Sequence, residues 1–253
     1  MPEVLSAGLW GLVGGSALVL GAAVPYLVAL PQRLIAAVMA IGSGVLISAV
    51  AFDLMDEAYK QGGFDATATG FLGGAIVYTL ANVLLSRRGA RHRKRSGANP
   101  DARQPSADSN SGAAIAVGAL LDGIPESVVI GTSLIGGGGV SAVMVAAVFL
   151  SNVPEGLASA AGMKTAGRAA GYVFAVWIGI AVLSGIAAMV GNAALAGASP
   201  DLIAAVTAVA AGAILAMLVD TMIPEATEAT HDYSGLIAVA GFLIAFILTK
   251  LGG

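Results

Sequence analysis

Long apolar runs constrain this chain more than any motif does. Eight can be drawn, at about 4–30, 33–55, 68–86, 112–134, 139–163, 171–197, 201–227 and 235–252. At ~1.5 Å per residue, a helix of each length crosses a ~30 Å hydrocarbon layer, the third only just. Membrane strands would read instead as alternating segments of about ten residues. Only 11% of the residues are charged, against about a quarter in soluble domains, so these runs have no aqueous alternative. The expected fold is an all-α polytopic membrane protein of eight transmembrane helices, one domain over residues 1–253, with the lipid bilayer as its first partner. The 35 glycines let such helices approach closely. There is no cysteine, which excludes disulfides, thiolate metal sites and cysteine nucleophiles. The first run follows Glu3 rather than a basic flank, so it reads as a retained helix and not a cleaved signal.

The loops orient the bundle. Arg87, Arg88, Arg91, Arg93, Lys94 and Arg95 form the strongest positive block, and basic loops stay cytoplasmic. Threading eight spans through that constraint places ten of the twelve Lys and Arg residues inside, all but Lys60 and Lys250. Both termini then lie outside a cell (plasma or inner) membrane, as does an acidic loop with Asp56, Glu57 and Asp65. Residues 87–111, basic and then rich in Ser, Asn, Asp and Pro, read as a disordered cytoplasmic linker. Gly136–Gly139 reads as a tight outer turn between helices four and five.

Two stretches stand out within the apolar runs: Leu-Leu-Asp-Gly-Ile-Pro-Glu-Ser from Leu120 and Leu-Ser-Asn-Val-Pro-Glu-Gly from Leu150. Carboxylates there cost a few kcal/mol at least, which marks them as functional candidates. Each proline frees a carbonyl four residues back, at Leu121 and Leu150, and is expected to kink its helix. Asp122 and Glu126 share one face of helix four; Ser151 and Asn152 lie one turn before Glu155 on helix five. Paired buried carboxylates repel unless a proton or cation lies between them. A set of oxygen donors carrying two or three negative charges describes a divalent-cation site. The plainer alternative is that the carboxyls are protonated and hydrogen-bonded, holding kinked helices together. The matched Pro-Glu elements on antiparallel neighbours also hint at an inverted repeat around a midplane site.

These residues, Asp122-Gly123-Ile124-Pro125-Glu126-Ser127 and Ser151-Asn152-Val153-Pro154-Glu155-Gly156, resemble the paired metal-binding motifs of the Zrt-, Irt-like (ZIP) metal transporters. Asp220-Thr221-Met222-Ile223-Pro224-Glu225-Ala226 resembles that family's Ile-Pro-Glu element near the cytoplasmic exit. The resemblance spans essentially the whole chain. It implies eight helices, both termini outside, a variable cytoplasmic loop after helix three, and movement of divalent metal (Zn, Mn, Fe or Cd) into the cytoplasm by alternating access. It implies a metal set of Asp122, Glu126, Ser151, Asn152 and Glu155. The metal is substrate, no organic cofactor or nucleic acid is expected, and a homodimer is possible. Three departures stand in helix four, where the family's usual His-Asn-x-Pro-Glu-Gly has Asp122, Gly123 and Ser127. Helix five opens with Ser151 in place of His or Gln, and helix six, around Ser184, offers no carboxylate. One metal rather than two is therefore expected, and an all-oxygen site favours harder ions such as manganese or magnesium without excluding zinc.

Asp53 and Asp56 are candidates for an outer entrance, which a solvated helix end explains equally well; Asp220 and Glu225, with Glu228, His231 and Asp232 beyond, are candidates for an inner exit, where a solvated cytoplasmic end explains the last three equally well. Asn82 suggests an interhelical hydrogen bond. Trp10, Trp177 and Tyr78 read as packing, and Tyr59, Tyr172 and Tyr233 as an interfacial belt. An enzyme is not expected: the metalloprotease His-Glu-x-x-His pattern is missing, with His92 and His231 both in loops. Other readings are a proton- or sodium-coupled carrier of another solute, or a non-transporting, metal-sensing relative.

Overall fold

Helix boundaries follow from proline, serine and glycine. In the computed structural model, which describes residues 2–97, 99–107, 109, 111–135 and 140–252, α1 (Glu3–Leu27) and α2 (Gln32–Ala49) each begin directly after a proline. After α2 come a π-helical turn (Val50–Leu54) and α3 (Met55–Leu85), then a second π turn (Ser86–Ala90). The next helices are α4 (Gly112–Thr132), α5 (Ala142–Thr165), α6 (Ala170–Leu195) and α7 (Pro200–Met217). A third π turn (Leu218–Met222), α8 (Ile223–Thr230) and α9 (Ser234–Gly252) follow. Ser141 and Ser199 cap α5 and α7, accepting from the amides of Met144 at 3.1 Å and Leu202 at 3.3 Å. Gly167 and Gly197, at φ +82° and +80°, take the left-handed conformation that ends α5 and α6.

The described residues contain no strand, and seven helical stretches among them are long and apolar enough to cross a membrane. One of these, Gln32–Ala90, carries the second and third expected runs together. Its helical course is broken at Gly63, whose φ of +67° and ψ of −170° suit only glycine. The acidic stretch expected as a loop is helical up to that break. Asp56 pairs with Lys60 one turn on, at 2.7 Å, and Glu57 accepts from Gln61. The expected Gly136–Gly139 turn lies outside the described residues. Leu20, Leu72, Val77 and Leu80 are among many exposed apolar side chains, a surface that lipid satisfies and water does not.

The helices pack as two groups. α1, α4, α5 and α6 form one, with α1 lying along both α5 and α6; α3 against α7 and α2 against α9 form the other. Paired glycines bring the backbones together. A methyl at Gly21 would overlap the Val153 carbonyl and one at Gly156 the Leu18 carbonyl, across α1 and α5. Gly74 and Gly212 do the same across α3 and α7, against Val209 and Phe71. α2 contacts α5, and α4 contacts α7, along the seam between the groups.

Candidate functional site

Helix α4 carries Asp122 and Glu126 to that seam, and α5 carries Glu155, each no more than 3% exposed. α4 and α5 make little direct contact with each other. Between them comes a segment that composition gives no reason to expect there. After α3, Gly89 turns the chain at φ +102°, and the following residues enter the bundle, leaving Arg93 1% and Lys94 3% exposed. The segment expected to be disordered and solvated is thus, at Arg93 and Lys94, part of the interior. The physical reason is charge: three buried carboxylates attract the nearest flexible cations, and pairing offsets the desolvation of both.

The pairing is specific. Arg93 donates from Nε to Asp122 Oδ2 at 2.8 Å and from Nη2 to Asp122 Oδ1 at 2.7 Å, a fork on one carboxylate. Nη2 also reaches the Tyr78 hydroxyl at 2.8 Å, and that hydroxyl donates to Asp122 Oδ1 at 2.6 Å. Nη1 donates to Asn82 Oδ1 at 2.8 Å, and the Asn82 amide donates on to Asp220 at 3.2 Å. Lys94 Nζ donates to Glu155 Oε2 at 2.8 Å and lies 3.3 Å from Asp122 Oδ2. Gly118 makes room for this: a methyl there would come within 2.7 Å of Arg93 Cδ.

Glu126 stands apart. It is 2% exposed, and neither carboxyl oxygen has a hydrogen-bond partner. Ser151 turns its hydroxyl back to the Val148 carbonyl at 2.9 Å, and Asn152 donates to the Gly14 carbonyl of α1 at 3.0 Å. The structure therefore brings Asp122, Glu126, Ser151, Asn152 and Glu155 into one buried region but engages most of them elsewhere. Among the described residues, no three His, Asp or Glu side chains group closely enough in this conformation to hold an ion. Gly123 faces α6, where an added methyl would lie 3.7 Å from Ser184 Oγ, so no carboxylate meets helix four there.

The outlying candidates divide between two ends. Asp53, whose Oδ2 accepts from Thr249 at 3.2 Å, and Asp56 line a cavity of about 480 Å³ with Glu57, Lys60 and Lys250. Val129 and Met144 also line it, about one turn from Glu126 and about three turns from Glu155 along their helices. At the other end Glu225 is 2% exposed and accepts from the Ser96 amide at 3.1 Å and from its hydroxyl. Arg95 donates to Glu228 at 2.6 Å and to the Pro224 carbonyl at 2.9 Å. Asp220 is exposed apart from its bond to Asn82.

Sequence reasoning missed Arg93, Lys94, Tyr78 and Gln104. Tyr78 is not simple packing but a ligand to both Asp122 and Arg93. Gln104 Nε2 lies 2.9–3.1 Å from the carbonyls of Arg93, Arg95 and Ser159 and holds the inserted segment to α5. The one available signal was an imbalance: three carboxylates, Asp122, Glu126 and Glu155, inside the fourth and fifth apolar runs with no cation in either. No protein-family model matches the chain, and no curated protein does.

Proposed function

We propose that this protein is a membrane transporter of divalent metal cations, moving them toward the cytoplasm by alternating access. The observation that supports this reading is Glu126, a fully buried carboxyl with no partner, beside Glu155 and Asp122 on facing helices that each carry a proline one residue before the glutamate. A carboxyl kept in that position without a hydrogen bond fits a ligand for a passing cation better than a structural strut. In this reading residues 32–62 and 64–90, on either side of the break at Gly63, count as two spans, giving eight helices with both termini outside. The ion set is Asp122, Glu126, Glu155 and Ser151, with Asn152 at its edge. Asp53 and Asp56 form the entrance, and Asp220 and Glu225 the exit. The donors are oxygens, which suits manganese, iron or zinc carried one at a time.

The test is metal uptake into vesicles reconstituted with the purified protein, using Mn, Zn, Fe and Cd separately. Uptake that depends on the protein and falls in both Glu126→Ala and Glu155→Ala supports the reading. Uptake unchanged in both variants removes these residues from the path. The same ion pairs that close the site also favour a second reading, a relative that binds metal without moving it. That reading expects metal binding with no uptake under any condition.

A further inference from the structure

The three carboxylates carry up to three negative charges, and Arg93 and Lys94 bring two positive ones to them. An ammonium and a guanidinium thus stand where a divalent cation would find its oxygens. We propose that residues 91–96 form a built-in plug, whose Arg93 and Lys94 compete with the transported cation for Asp122 and Glu155, so that transport requires the segment to withdraw. This rests on the transport reading above.

Two features favour a plug over a permanent strut. A permanent network would satisfy its buried polar groups, yet Glu126 is left with neither oxygen bonded. The segment is also bounded by two glycines in the left-handed region, Gly89 at φ +102° and Gly97 at φ +95°. Glycine at such positions has the backbone freedom that moving a short piece between them would require. Between them the attachments are polar: Ser159 Oγ to the Arg93 carbonyl at 2.5 Å, Arg95 to Glu228, and Ser96 to Glu225 and to Gln32, the last at 2.7 Å. None buries a large apolar side chain. The attachments also reach the exit candidate Glu225 and, three residues on, Glu228, so withdrawal frees the site and its way out together.

The absence of cysteine allows a direct test. In vesicles containing Gln32→Cys with Ser96→Cys, a short bifunctional maleimide pins the segment in place. Manganese uptake is expected to fall at least about tenfold on cross-linking, while each single-cysteine variant keeps its own untreated rate in the reagent. Uptake that persists in the cross-linked protein overturns the plug. The complementary variant, Arg93→Gln with Lys94→Gln, is expected to bind manganese at least about tenfold more tightly, because it no longer loses population to the closed form. Binding in the folded double variant that is no tighter than in the unmodified protein also overturns it. If Glu126→Ala and Glu155→Ala abolish uptake but cross-linking does not, the plug alone fails. If those two variants leave uptake intact, or no form takes up metal, the transport reading fails and takes the plug with it.

Discussion

Arg93 carries its charge at every pH at which this protein can be handled. Burial pulls its pKa down, but the Asp122 charge and hydrogen bonds outweigh that and leave it above the ordinary arginine value. A raised pKa in the folded state gives stability that is full below the unfolded value and lost only as pH climbs through the folded one, far into alkali. Arg93→Gln should therefore lower unfolding stability in metal-free detergent by about 3–5 kcal/mol, through the stranded Asp122 charge. The loss should be at least as large at about pH 9 as at about pH 6, because Arg93 stays charged throughout and a stranded Asp122 can relieve its burial only by taking up a proton at the lower pH. Chemical denaturation curves at the two pH values check this, and a loss confined to about pH 6 contradicts it. Glu126 makes the opposite prediction. With no partner to lose, Glu126→Gln should shift stability by less than about 1 kcal/mol, while metal uptake falls at least about tenfold. A large stability loss in that variant would reveal a structural role.

At the scale of elements, close glycine contacts carry the packing and are open to a paired test. Gly212 faces the Phe71 carbonyl across α3 and α7, whereas a methyl at Gly73 meets nothing within 4 Å. Gly212→Ala should cost at least about 1–3 kcal/mol, since backbone must shift. Gly73→Ala should be neutral or slightly stabilising, because alanine restricts the unfolded chain. Equal thermal shifts for the two would mean that the α3–α7 contact is looser than described. The helices and the Pro-Glu stretches were legible in the sequence because both are local: hydropathy over about twenty residues, and a carboxylate beside a proline. Arg93 and Lys94 were not. In a run of basic residues they resemble the exposed Arg91, and their partners lie 29 and 61 residues away. Tyr78 was missed for the same reason, its partner Asp122 being 44 residues distant. Asp56 and Glu57 were read as loop because charge was weighed above helix-forming spacing. Only tertiary structure decides which charges face water.

For the molecule as a whole, orientation and the site are separate questions. Introduced cysteines report on both without background, because the sequence has none. In sealed cells, an impermeant maleimide should label Lys60→Cys from outside and Arg103→Cys only after permeabilisation. The reverse pattern would invert the proposed topology and the direction of transport. The two helix groups meet at the carboxylates, with Asp122, Glu126 and Glu155 on one side and the α3 residues Tyr78 and Asn82 on the other. Relative movement of the groups would therefore open and close the same site that Arg93 and Lys94 fill. The most direct measurement is the position of manganese, by anomalous scattering, in crystals grown with the metal. Transport through this site predicts a peak within about 2.0–2.6 Å of carboxylate oxygens from both Glu126 and Glu155, with Lys94 moved away from Glu155. Manganese found only at surface carboxylates such as Asp56 and Glu57, with Lys94 still on Glu155, would contradict it.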